Sequence, residues 1–136
     1  MRMIAAVVAA TLALLGTACD EDEDRISTAD ELAPPGVVGD DLPVELIIYS
    51  TDGDSITGVD VSPNLAASAV MLDSTDAEVD SIQLPQDEFY PLALGTSAIV
   101  LQDLARDLEI GDRFEITLTF DKADDKIVPI TVVAGG

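Results

Sequence analysis

The side chains able to do chemistry in this sequence are almost all carboxylates. There are 27 Asp and Glu against 6 Lys and Arg, with no His and one Cys, and the formal charge at pH 7 is −21. Without His there is no Ser–His or Cys–His nucleophile pair and no imidazole to hold a metal. A single Cys excludes an internal disulfide and a Cys-rich zinc site. Asp52-Gly53-Asp54-Ser55 places two acids two residues apart, as a hard-cation loop would. An EF-hand, however, requires a bidentate Glu at the twelfth loop position, and counted from Asp52 that position is Pro63. Asp121, Asp124 and Asp125 fall where a hairpin turn is expected, and turn geometry alone favours Asp there. A glycosidase pair would need one carboxyl desolvated in a cleft, and no sequence feature marks an Asp or Glu for burial. The expectation is a protein that is not an enzyme and needs no cofactor. Its charge repels phosphate backbones, which removes nucleic acid as a partner.

Cys19 is the one candidate for modification. Arg2 supplies a positive start, residues 4–15 are apolar, and Gly16-Thr17-Ala18 are small, which together form a secretory leader over residues 1–18. The apolar run is shorter than the about 20 residues that span a bilayer. Leu15-Gly16-Thr17-Ala18-Cys19 resembles the bacterial lipobox, with Gly16 standing where Leu is most frequent. That resemblance implies cleavage before Cys19 and a diacylglyceryl group on its sulfur, a stable anchor because more than one acyl chain is attached. The competing fate of a lone exported Cys is a free thiol. The chain is therefore expected to be exported, to be attached to the bacterial membrane through lipidated Cys19, and to work outside the cytoplasm.

The elements that position everything else begin after an acidic, proline-containing stretch. Residues 19–41 read as a tether, with an acidic run at 20–24 and Pro34-Pro35-Gly36; residues 26–32 suggest a helical turn or two that the prolines end. Over residues 42–136, short β-branched runs alternate with Gly, Pro, Asp and Ser clusters, the pattern of an all-β sandwich. Strands are expected at 44–49, at 56–61 with a bulge near Gly58, and at 67–72, 79–84, 89–94 and 97–101. Pro91 marks an edge. Leu104 and Leu108 suggest another helical turn. Phe114, Ile116, Leu118 and Phe120 alternate with Glu115, Thr117 and Thr119, which describes a half-buried strand. Residues 122–125 turn the chain back into a last strand at 127–133, with Pro129 predicting an edge. A mean hydropathy of +0.32 supports a folded core.

Leu101, Leu104, Leu108, Gly111-Asp112 and Thr117-Leu118-Thr119-Phe120, followed by the Val-rich segment 128–133, resemble the C-terminal pattern of the PCu(A)C copper chaperones. Val59-Asp60-Val61-Ser62-Pro63 and Ile82-Gln83-Leu84-Pro85 are similar to two further steps of that family. The resemblance implies a cupredoxin-like, immunoglobulin-like Greek-key sandwich that carries Cu(I) on His and Met, soft donors suited to that ion. Carried over by position, the first His falls at or next to Leu72 and the later His-x-Met pair on Ala98 and Val100. The remaining Met falls in the shortened stretch 73–80, which has none. Met71 is the only candidate ligand left, and a core position is the simpler reading of it. The family's N-terminal strand has no evident counterpart, and residues 36–39 are expected to replace it. The function expected is that of a lipid-anchored envelope binding protein with a protein partner and without the copper site. The alternative is a chaperone for copper or another metal with an altered site.

The leader reading predicts that cells fed labelled palmitate incorporate it into this protein and that Cys19→Ala abolishes the label. Undiminished labelling of that variant would refute acylation at Cys19.

Overall fold

The computed structural model describes residues 26–134; Cys19, the leader and the acidic run lie outside them. Ten strands follow one another: β1 (Ile26–Ala33), β2 (Leu42–Ser50), β3 (Asp54–Asp60), β4 (Ala66–Leu72), β5 (Glu78–Val79), β6 (Ile82–Leu84), β7 (Glu88–Leu92), β8 (Ala98–Leu104), β9 (Arg113–Phe120) and β10 (Lys126–Val132). No helix occurs among the described residues. The strands hydrogen-bond in the order β5-β4-β8-β2-β1-β10-β9-β3-β6, with β7 also alongside β2. The sheet curls around one core, so the fold is all-β, as the composition and alternation predict.

Strand β2 shows how alternation builds this core. Leu42, Val44, Leu46 and Ile48 are buried, while Pro43, Glu45, Ile47 and Tyr49 face outward. One edge of β2 pairs with β1; the opposite edge pairs with β8 at Leu42–Val44 and with β7 at residues 46–49. On the far side of the core, Phe114, Ile116, Leu118 and Phe120 of β9 and Val128, Ile130 and Val132 of β10 supply the facing layer. The β9–β10 hairpin pairs Lys126 through Thr131 with Leu118 through Arg113. The bulge predicted near Gly58 is present, as a register shift between Ile56 and Gly58 against β9.

Four expectations need correction. Residues 26–33 form a full strand, neither a tether nor a helical turn, and this strand fills the N-terminal place that residues 36–39 were expected to take. Gly36 makes only an isolated bridge to Leu108. Strand β1 hides from periodicity because a register shift between Ala29 and Leu32, with Asp30 at φ 54°, interrupts its alternation. The segment from Leu104 to Leu108 is not helical. Leu104 ends β8, and the loop is stitched to the 36–40 segment by Gly39 N–H donating to Leu104 O at 2.8 Å and Leu108 N–H to Gly36 O at 2.8 Å. The run 79–84 breaks into β5, which pairs with β4, and β6, which pairs with β3. Finally, β10 is not an edge strand: it lies between β9 and β1. Parallel pairing with β1 reaches only Thr131 and Val132, so the imino nitrogen of Pro129 is not asked for a bond on that side.

Asp54 joins the two turns at one end of the barrel. It is 4% exposed, and its carboxylate accepts the backbone N–H of Ser55 at 2.7 Å, Lys122 at 3.0 Å and Ala123 at 2.9 Å. A buried carboxylate is tolerable only with such donors around it. Gly53, at φ 77°, lets the chain turn sharply just before it. Asp73 plays a similar part in the exposed β4–β5 turn. It accepts the Thr75 hydroxyl at 2.6 Å, the Thr75 N–H at 2.8 Å and the Ala77 N–H at 3.2 Å. These bonds, that from the Thr75 hydroxyl foremost, hold its pKa below the ordinary aspartate value.

Two stability predictions result. Asp54→Ala is expected to destabilise the fold by about 2–4 kcal/mol, since three amides lose a charged acceptor, whereas Asp121→Ala on the exposed turn stays within about 0.5 kcal/mol; urea midpoints decide. For Asp73, a lowered folded pKa means that its contribution is present above the pH at which an unfolded aspartate ionises. It is lost as pH falls through the lower folded value. The melting-temperature gap between wild type and Asp73→Ala should therefore close in acid, and a gap that widens below pH 4 would contradict the turn's role.

Candidate functional site

The positions that the resemblance assigns to copper ligands lie on β4 and β8, and the antiparallel register decides which of them meet. Leu72 is opposite Ala98, and Val70 opposite Val100. Directly opposed residues share a face, so Leu72, Ala98 and Val100 do gather on one side of the β4–β8 pair. Pro43 of β2, opposite Val100, extends this face. Ala98 and Val100 are buried yet lie outside the main core cluster, while Leu72 is half-buried. The face thus assembles the right positions with carbon side chains, none of which can donate electrons to a metal.

Met71 points the other way. It lies opposite Ile99 of β8 and Val79 of β5, is 6% exposed and belongs to the core cluster. The thioether is therefore separated from the Leu72–Ala98 face by the thickness of the sheet, and it fills space as Met commonly does. In place of the family's intervening Met stands the Asp73–Thr75–Ala77 turn described above. Polar groups near the face are already engaged: the Ser68 hydroxyl donates to Gln102 Oε1 at 3.1 Å, and the hydroxyls of Tyr90 and Ser97 are 2.9 Å apart.

The carboxylates do not converge on a cation site either. Asp54 is turned inward to backbone amides, away from its neighbour Asp52, and Asp121, Asp124 and Asp125 are exposed on the β9–β10 turn. Among the described residues no three His, Cys, Asp or Glu side chains form a group able to hold a metal ion. The Tyr49 hydroxyl donates to the Asp87 carboxylate, which raises the tyrosine pKa, chiefly through that bond. This links the β2 and β7 ends beside the exposed ring of Phe89, whose centroid is 5.0 Å from that of Tyr49.

A feature that sequence reading missed is a groove of about 920 Å³ that no residue of β4 or β8 lines. It is lined by Arg106 and Arg113, by the apolar Val61, Leu65, Ile127 and Pro129, and by Asp60 and Glu115, among others. Six residues separate the two arginines in the chain, with no shared motif, so only the folded loop after β8 brings them to one groove.

Neither a protein-family profile nor a curated protein sequence matches the chain. Solved structures do. The apo PCuAC domain from PmoF1 aligns with a TM-score of 0.72 at 23% identity, covering 82% of this chain and 95% of that domain. The copper-bound PCuAC domain from PmoF2 aligns with a TM-score of 0.70 at 23% identity over 82% and 94%. CuI-DR1885 from Deinococcus radiodurans, a solution structure, gives 0.60 at 18% identity over 80% and 82%. Agreement over nearly the whole of those domains, at identities this low, is agreement of backbone: the chain has a PCuAC-type fold.

Proposed function

We propose that this chain is a lipid-anchored envelope protein that uses a PCuAC-type domain for binding, without catalysis and without the copper site of its structural neighbours. One observation carries the reading. The register places Leu72 against Ala98 and Val70 against Val100, so the positions where ligands would converge form an apolar face. A fold can persist while the site grafted on it changes. Two of the neighbours are described with copper bound, and Cu(I) requires soft sulfur or nitrogen donors that this face does not offer. The acyl group on Cys19 would hold the domain at the membrane, within reach of a protein partner in the envelope.

The test is competition for Cu(I) against a chromophoric chelator, using the mature chain with Cys19→Ser so that the thiol does not bind the ion. The wild-type domain is expected to leave the chelator loaded. Grafting Leu72→His, Ala98→His and Val100→Met should create uptake at least about tenfold above that background, since the backbone already sets those positions together. Stoichiometric capture by the unmodified domain, lost in Met71→Leu, would favour the other reading, a metal chaperone with an altered site.

A further inference from the structure

We infer that the groove between the β9–β10 hairpin and the loop after β8 binds a small organic carboxylate with an apolar body, held by Arg106 and Arg113. This goes beyond the copper question, because no residue lining the groove belongs to β4 or β8.

The groove floor is the outer surface of three paired strands. Arg113 is opposite Thr131, Glu115 opposite Pro129, and Thr117 opposite both Ile127 and Asp60, so these side chains share the outward face. Phe114 and Ile116 alternate inward to the core, which fixes the outward direction of Arg113. Arg106 comes from the far wall. Its neighbour Ala105 donates its N–H to Leu65 O at 2.8 Å, and Leu65 N–H in turn closes on Ser62 O at 2.9 Å, which holds the loop against the β3–β4 connection.

Cations are scarce on this surface. The cations among the described residues are Arg106, Arg113, Lys122 and Lys126, and half of them line one groove. In a chain with a net charge of −21, an exposed guanidinium has many carboxylates to choose from. Yet neither arginine side chain makes a hydrogen bond or ion pair with another described residue, although Asp60 and Glu115 line the same groove. Two planar, fork-shaped donors left open on one groove match the bidentate recognition of a carboxylate.

The walls select the rest of the ligand. Ile127 is 61% exposed on a strand whose alternate residues are buried, and Pro129 beside it has no N–H to offer. With Val61 and Leu65 they give an apolar lining, and the volume falls within the range of small-molecule sites. Asp60 and Glu115 offset the two arginines, and the surrounding surface is strongly negative. A polyanion is therefore repelled, whereas a ligand with one carboxylate and an aliphatic body gains the arginine contacts without that penalty.

The test titrates the full mature chain, carrying Cys19→Ser for solubility, with straight-chain monocarboxylates from butanoate to octanoate and with their primary amides. Calorimetry and backbone amide shifts at Thr117 and Ile127 provide the readouts. Each acid is expected to bind at least about tenfold more tightly than its amide, with affinity falling as salt rises. Arg106→Gln and Arg113→Gln should each weaken the acids about tenfold and leave the amides unchanged, while Ile127→Ser should weaken octanoate more than butanoate. Both arginines are exposed, so an unchanged unfolding transition certifies the variants. Equal affinity for acid and amide, absence of binding across the series, or binding that survives Arg106→Gln/Arg113→Gln overturns the assignment.

Discussion

Four alternate side chains of β2, Leu42, Val44, Leu46 and Ile48, are buried at 0–2% exposure, and both hydrogen-bonding edges of that strand are occupied. A one-residue slip would move every one of those side chains to the solvent face, so the register of β2 is fixed by its core contacts. Everything else is referred to it. Strand β8 is held by pairing with Leu42–Val44, β4 is held by β8, and β1 carries the order across to the β9–β10 hairpin. The two ends of the same strand thus serve different halves of the barrel.

That dependence separates the register of β4 against β8 from the chemistry of its outer face. Leu72 meets Ala98 because Met71 meets Ile99 one residue away, on the core side of the same pair of strands. Burying Met71 and Ile99 favours the register through the hydrophobic effect, whatever occupies the other face. The positions on the outer face are then less constrained by the register, provided that they tolerate being buried, as Ala98 and Val100 are, or half-buried, as Leu72 is. Leu72, Ala98 and Val100 place no polar group there that would need solvation. Backbone similarity to copper-bound domains and an apolar face at Leu72, Ala98 and Val100 are therefore compatible findings.

The parts of the fold that were legible in the sequence are those where alternation is unbroken. Strands β2 and β9 read directly because every second residue is apolar and buried. The Leu-spaced segment ending at Gly111-Asp112 carried the resemblance to the family. Strand β1 was not legible, since the shift near Asp30 leaves only Ile26 and Ala33 buried at its two ends, with charged residues between. Leu104 and Leu108 have helical spacing for a different reason: both are buried where a loop is tied across to Gly36 and Gly39. Of the candidate site, the coincidence of Leu72 with Ala98 and Val100 followed from the family pattern. The burial of Asp54 and the meeting of Arg106 with Arg113 did not, because each is decided by contacts between segments distant in the sequence or by the path of an irregular loop.

The acidity has a local explanation that net charge conceals. Among the described residues every non-glycine residue with positive φ is an aspartate: Asp30, Asp76, Asp87 and Asp103. Asp is among the few side chains that adopt this conformation readily, because its short carboxylate reaches nearby backbone N–H groups. Other aspartates accept backbone amides across or within loops, as Asp40 does from Val37, Asp41 from Asp103, Asp107 from Val38 and Asp112 from Glu109. The short side chain suits these roles better than that of Glu, and 19 of the 27 acids are Asp. Much of the negative charge is thus a consequence of how the loops are closed, at the cost of self-repulsion that solvent and salt screen. Against such a background the cations are few, and among the described residues both arginines line the same groove.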